Sequence, residues 1–386
     1  MHIIFRIYAL LWIFILFLYN LKWSKYSIPL DFNLIVFLIV VITSSLMLGM
    51  KKGNSRIKKY DIVDENKIKN AKKHVVLIWI GFILNFIYAG YVPIIGILSG
   101  RNEYVEFPGI PTLYPFLFTL TLVYFYYLCY LYFLKKDRNL IIYAMSLLFV
   151  FFCVYSRSLM AFAAIGAFLI KMLVQSKGKK KNKKMMNYVI LFLMVAIVCF
   201  LFGCLGNMRY GYAWNDNSYI QTLGLYDNYP SWLPKQYMWI YSYLISPLAN
   251  LNYNIVYHNT HNDIGRFFVT FIPEFISKRY FSDAVISSAK ETLLIRTYFN
   301  AQTGFVEPYY SFGIIGCYIS YFVMVAYISI LNILNRKNHD PVVIVGCFVF
   351  LTLSFFYNVF FYTLTSMTMI WLLLYLLKKV RIKIKL

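Results

Sequence analysis

Apolar residues in this chain fall in long unbroken runs, without the alternation of a half-buried strand or the single stripe of a surface helix. Runs able to cross a bilayer at ~20 residues per span lie near 3–21, 32–50, 75–97, 112–134, 140–156, 159–175, 187–206, 309–334, 342–361 and 363–377. The pattern predicts an all-α polytopic membrane protein of about ten transmembrane helices. The fifth and sixth runs, and the ninth and tenth, have almost no polar connection between them and read as helical hairpins. Residues 207–308 contain no clear spanning run, and a structureless connection of that length is improbable in a compact protein. They are expected to form a large outward-facing helical loop, a folded cap. Within it Gln236–Tyr253, interrupted by Pro247, and Asp263–Ser277, interrupted by Pro273, read as short amphipathic helices at the membrane surface. The chain thus divides into helices one to seven (1–206), the outer loop (207–308), and helices eight to ten with a basic tail (309–386).

Composition sharpens this picture. Hydrophobic residues make up 61% and charged residues 14%, against ~45–50% and ~25% in soluble domains, which excludes a water-soluble enzyme. The formal net charge of +23 would suggest nucleic acid in a soluble protein, but its distribution points elsewhere. With both termini in the cytoplasm, 27 of the 38 Lys and Arg and only five acids face inward; the outer side carries eleven cations and ten acids. That is the positive-inside pattern, and the basic runs read as topology anchors beside anionic lipid. No nucleic-acid partner is expected. Arg6 precedes the first apolar run, but no small-x-small cleavage site lies before Lys22, so the run is read as a helix. All six cysteines lie in or beside apolar runs without a C-x-x-C pair, which argues for core residues and against disulfides or zinc.

Candidate chemistry concentrates on the outer side. Arg157 sits in Ser156-Arg157-Ser158 at a hairpin turn, followed by a small-residue helix that allows close packing. A guanidinium at that depth either meets an anion or snorkels to headgroups. Arg209, Arg266 and Arg296 are further candidates for binding a diphosphate, because arginine's planar fork pairs with phosphate oxygens and stays charged. Lys278-Arg279 read as surface anchors. The densest polar segment, 258–266, joins His258, His261, Asp263 and Arg266, so it supplies both a base and an anion binder; the other reading is a solvated polar loop. His261 or Asp263 is the candidate for taking a proton from a sugar hydroxyl, with His258 as a substrate contact. His-x-x-His beside Asp263 also resembles a metal site, yet no third ligand stands at a suitable spacing, and neither metal nor cofactor is expected. Further on, Asn300, Thr303 and Glu307 lead into the eighth apolar run. Asn300 and Thr303 are candidate substrate contacts and Glu307 a reserve base. Gly313 and Gly316 in that run are read as packing residues.

These features together resemble the bacterial oligosaccharide repeat-unit polymerases, the Wzy-type O-antigen and capsule polymerases. The resemblance in topology spans the whole chain. In residues it rests on the Ser156-Arg157-Ser158 turn with its small-residue helix, on Asn300-x-x-Thr303 followed by Phe312-Gly313-x-x-Gly316, and on Tyr243–Leu251. The arginine-x10-glycine spacing of some members follows none of the outer arginines here. The resemblance implies a fold of the lipid-carrier-dependent glycosyltransferase type in the bacterial inner membrane, acting on undecaprenyl-diphosphate-linked oligosaccharides, with a chain-length regulator and a flippase as partners. The implied reaction transfers a growing glycan from its carrier diphosphate to a new lipid-linked repeat unit. A diphosphate leaves as a weak base, so arginines can stand in for a general acid or divalent metal.

Three other classes fit parts of the pattern. A lipid-linked oligosaccharide flippase would need cavity cations but no folded cap. An O-antigen ligase differs only in acceptor, and His261-Asn262 is similar to that group. A membrane acyltransferase would need a histidine near a cytoplasmic acyl donor, where the chain offers His74 and His339 at loop edges and His2 at the terminus.

Overall fold

The computed structural model describes residues 2–50, 65–98, 107–175, 196–197, 199–208, 212–258, 260, 263–290, 292–336 and 339–384. Among these residues the protein is all-helical, apart from an isolated bridge between Ser24 and Leu225. In chain order the helices are α1 His2–Asn20, α2 Phe32–Met50, α3 Glu65–Ala89, α4 Pro93–Leu98, α5 Leu113–Lys135, α6 Arg138–Cys153, α7 Arg157–Gln175 and α8 Cys199–Met208. They continue with α9 Ser218–Thr222, α10 Tyr237–Tyr257, α11 Ile264–Val269, α12 Glu274–Tyr280, α13 Asp283–Lys290, α14 Val306–Asn335, α15 Pro341–Leu353 and α16 Thr363–Ile384.

Five of these, in α1, α2, α3, α5 and α14, are long and apolar enough to cross a membrane, and shorter apolar helices occur in α6, α7, α8, α15 and α16. Every run read from the sequence therefore contains an apolar helix, although half of the seventh, 187–206, lies outside the described residues. Where the helices are shorter than the runs, a local cause is visible. The run at 75–97 ends at Ala89 because Gly90 takes φ +75°, the left-handed turn that closes a helix. The run at 342–361 stops at Leu353, and Asn358 accepts hydrogen bonds from the N–H groups of Phe360 and Phe361 in the turn that follows. The sixth run, α7, is set off from α6 by Tyr155 at φ +57°.

The bundle centres on α5, which packs on α3, α6, α7, α15 and α16, while α1 pairs with α2. One aromatic knot ties α1, α2 and α14 together: Trp12, wholly buried, lies edge-on to Phe355 and near Phe305, which in turn meets Phe37. Leu10, Phe17, Ile87, Phe322 and Ile333 face outward, each more than half exposed. Such apolar faces are a liability in water and a fit to lipid. The six cysteines are free.

The cap differs from expectation in one element. Tyr237–Tyr257 is a continuous helix that runs through Pro247, with Met238, Tyr241, Ile245 and Leu248 among its buried residues, packed against α1 and α14. It belongs to the bundle and is not a pair of short surface helices. Proline removes the hydrogen bond that would close on the carbonyl of Tyr243, and the Ser246 hydroxyl donates to that carbonyl instead, at 3.4 Å. The second stretch does break at Pro273, into α11 and α12.

Asparagines on α10 then staple the neighbouring loops. Asn250, fully buried, donates to the carbonyls of Phe299 and Ala301 at 2.7 and 2.8 Å and accepts from the N–H of Ile295 at 3.0 Å. Asn252 holds the loop after α1, accepting from the Asp31 N–H and donating to the Pro29 carbonyl, both at 2.9 Å. Because an orphaned buried polar group costs about 1–3 kcal/mol, Asn250→Ala is expected to destabilise the protein by roughly 2–4 kcal/mol, read as a lower unfolding midpoint in detergent. An unchanged midpoint would remove the staple from the account. For orientation, an alkaline phosphatase fusion near Tyr226 is expected to be active and one near Lys181 inactive; the opposite pattern overturns the placement of the cap.

Candidate functional site

The break inside α14 builds the site. Phe312 (φ −146°, ψ 21°) and Gly313 (φ 62°, ψ −157°) leave helical geometry, so a short helix, 306–311, is re-aimed against the long one that follows. Gly313 occupies a region of backbone space essentially reserved for glycine, where another residue costs about 1–3 kcal/mol. A Cβ there would meet only Thr260, at 3.6 Å. Gly313 is thus a conformational residue, a correction to its reading as packing. Gly316 fits the packing reading, since a Cβ would fall 2.2 Å from the Pro308 carbonyl oxygen.

The re-aimed helix carries Glu307 and Tyr310, and α11 brings Arg266 to them. The Asp263 N–H donates to the Ser311 carbonyl at 3.0 Å, locking the start of α11 to the end of the short helix. Asp263 caps α11, its Oδ1 accepting from the Arg266 N–H at 3.0 Å. Arg266, 4% exposed, lays its guanidinium 3.6 Å from the centre of the Tyr310 ring, a cation–π contact. The ring of His258, at the end of α10, lies 3.7 Å from the same Tyr310 ring, centre to centre. Glu307 is also 4% exposed and in the electrostatic reach of Arg266; the Tyr362 hydroxyl hydrogen-bonds to it. Its Oε2 is buried without a hydrogen-bond partner. An acceptor in that state costs more than a satisfied one and is available to a proton donor that enters. The floor is held by the turn after α15, where Asn358 donates to the Thr270 carbonyl at 3.0 Å and Glu274 N–H to the Phe361 carbonyl at 2.8 Å.

Of the residues singled out from the sequence, Arg266, His258 and Glu307 come together here. Asp263 is adjacent, exposed, and committed to capping α11 through one oxygen. Arg296 is held elsewhere, exposed, with its Nε donating to the Tyr26 hydroxyl at 3.0 Å. Thr303 is fully buried and its hydroxyl accepts from the Phe305 N–H, a role in the turn before α14; Asn300 is exposed. Lys278 pairs with Glu274 at 3.0 Å and Arg279 donates to the Thr112 hydroxyl at 3.2 Å, as surface residues do. Arg209, His261 and the side chain of Arg157 lie outside the described residues.

Tyr310 and Tyr362 are the participants that sequence reasoning missed. With 36 tyrosines in the chain, no spacing distinguishes these two. Only the proximity of Tyr310 to the break, and of Tyr362 to the polar turn at Asn358, could have marked them. Chemically the cluster offers a buried cation for an oxyanion and a buried carboxylate for a proton, on elements fixed by backbone hydrogen bonds. No family model, no curated protein and no solved structure matches this chain.

Proposed function

We propose that the protein is an outer-leaflet glycosyltransferase that lengthens a lipid-linked surface glycan. In this reading a growing oligosaccharide is transferred from undecaprenyl diphosphate to the terminal sugar of a lipid-linked repeat unit, in a bacterial cytoplasmic membrane. The observation that carries it is the Arg266–Glu307 cluster. A cation and a carboxylate, both nearly inaccessible, lie within electrostatic reach at the junction of the cap with an apolar bundle, without forming an ion pair with each other. The charge asymmetry of the chain supports the outward placement of the cluster.

The chemistry follows from these two groups. An acceptor hydroxyl attacks the anomeric carbon, its proton passing to the Glu307 carboxylate, while the bond from that carbon to the diphosphate oxygen breaks and the electron pair leaves with the diphosphate. Arg266 offsets the negative charge that accumulates on the leaving oxygens, an effect strengthened by exclusion of water. His258 and Tyr310 border the space beside Arg266 and orient its fork. Since both central groups are covered in this conformation, binding requires α11 or its neighbours to move aside, and the Gly313 break is where the backbone has freedom to do so.

The experiment is the surface polysaccharide of a deletion strain. A single repeat unit on each anchor is the expected phenotype. Absence of any repeat unit would point to a flippase or ligase, and polymer of normal length would refute the proposal.

A further inference from the structure

Outside the Arg266 cluster, two loops distant in sequence are brought together over α10. Asn252 fixes the loop after α1, and Asn250 fixes the segment around Ile295–Ala301. On this scaffold two cations converge on one aromatic ring: Lys25 Nζ lies 5.6 Å and Arg296 Cζ 5.4 Å from the centre of Tyr26. Arg296 Nε donates to the Tyr26 hydroxyl at 3.0 Å, and the hydroxyls of Tyr26 and Tyr298 are 3.3 Å apart. Neither cation forms an ion pair; among the described residues the ion pair is Lys278–Glu274. Burial alone would push the Tyr26 phenol up, but the hydrogen bonds from Tyr298 and Arg296 and the nearby charges of Arg296 and Lys25 outweigh it and bring it below the usual phenol range. Two uncompensated cations held at one ring attract an anion. With Nε anchored, the terminal nitrogens of Arg296 are pre-set for paired oxygens.

A second observation lies directly beneath. Tyr26 and Phe299 also wall a recess on α10 lined by Ser24, Ser242 and Ser246. The Ser242 hydroxyl, in a residue 2% exposed, has no hydrogen-bond partner. A helical serine can bond back to its own helix; this one does not, and its hydroxyl is left for a water-sized polar group in the recess beside Tyr26.

We propose that Lys25, Tyr26, Arg296 and Tyr298 form a second diphosphate-binding site, separate from the Arg266 cluster, which holds the second lipid-linked oligosaccharide during transfer. The assignment rests on the transfer reading, since joining two carrier-linked glycans requires two diphosphates on the protein at once. The Arg266 cluster takes the one that is released, and the Tyr26 site the one that is retained.

The test uses the full-length protein in detergent, titrated calorimetrically with inorganic pyrophosphate. Wild type is expected to bind two equivalents. Arg296→Ala, at an exposed position, is expected to weaken one of them by roughly tenfold to a hundredfold and leave the other, while Arg266→Lys weakens the complementary one. Lys25→Ala, also exposed, is the second variant, with a smaller effect in the direction of Arg296→Ala. Undecaprenyl diphosphate in mixed micelles should displace pyrophosphate from both sites, and phosphatidylglycerol at equal concentration from neither. An Arg296→Ala titration like wild type overturns the proposal, as does equal displacement by phosphatidylglycerol, which would make the cluster a headgroup anchor. Normal polymer in the deletion strain would defeat the transfer reading and leave a two-site titration standing; a one-site titration with short polymer would do the reverse.

Discussion

Glu307→Gln is expected to lower glycan transfer by about a hundredfold to ten-thousandfold, the usual contribution of a positioned general base. Glutamine keeps the shape of the side chain and an oxygen for the Tyr362 hydroxyl, so the fold should be preserved. What it loses is the ability to take a proton from a sugar hydroxyl, which is a poor nucleophile at neutral pH. The measurement is the turnover of purified protein on lipid-linked repeat units, with the unfolding midpoint as a control. Loss of turnover at an unchanged midpoint is the predicted result. Full activity in Glu307→Gln, with loss in Asp263→Asn, would move the base to the exposed residue that caps α11.

Arg266→Lys should be nearly as damaging, on the order of a hundredfold to a thousandfold in turnover, although it retains the charge. The guanidinium carbon lies 3.6 Å from the centre of the Tyr310 ring, and its planar fork can present two parallel donors to a diphosphate. An ammonium is a compact charge on a flexible stem and does neither. In cells the variant should leave short glycans at normal protein abundance. Because Arg266 is 4% exposed, Arg266→Ala risks misfolding, which makes the lysine variant and its abundance the informative pair. Polymer of normal length in Arg266→Lys would reduce Arg266 to a structural cation.

The layout of the bundle was legible in the sequence because lipid imposes a simple rule: backbone groups must be satisfied within a helix, so each span is a continuous apolar run. Run ends were less legible where a single residue closes a helix, as at Gly90 and Tyr155. The continuity of α10 was hidden by Pro247, whose cost is offset by a serine bond that composition does not reveal. At the site, Arg266, His258 and Glu307 could be found because charge and imidazole are rare in an apolar chain. Asp263 reads in the sequence as a base candidate; the structure adds that its Oδ1 caps α11 by accepting from the Arg266 N–H, a role its position before the helix makes possible but the sequence alone does not single out. The grouping itself depends on Gly313. Its backbone turn folds 306–311 back toward α11, and a glycine preceding another at i+3 reads equally well as a packing motif. Arg296 was grouped with Arg266 on chemistry alone, and the asparagine staples of α10 carry it to Tyr26.

The central claim is that the Arg266–Glu307 cluster transfers glycan between lipid carriers. Its most direct test is the purified protein in liposomes, supplied on the outer face with undecaprenyl-diphosphate-linked repeat units as sole substrate. The account predicts products in whole multiples of the repeat, with one undecaprenyl diphosphate freed for each bond formed, and neither in the Glu307→Gln variant. Repeat units that cross the bilayer intact, without joining and without release of carrier, would contradict it.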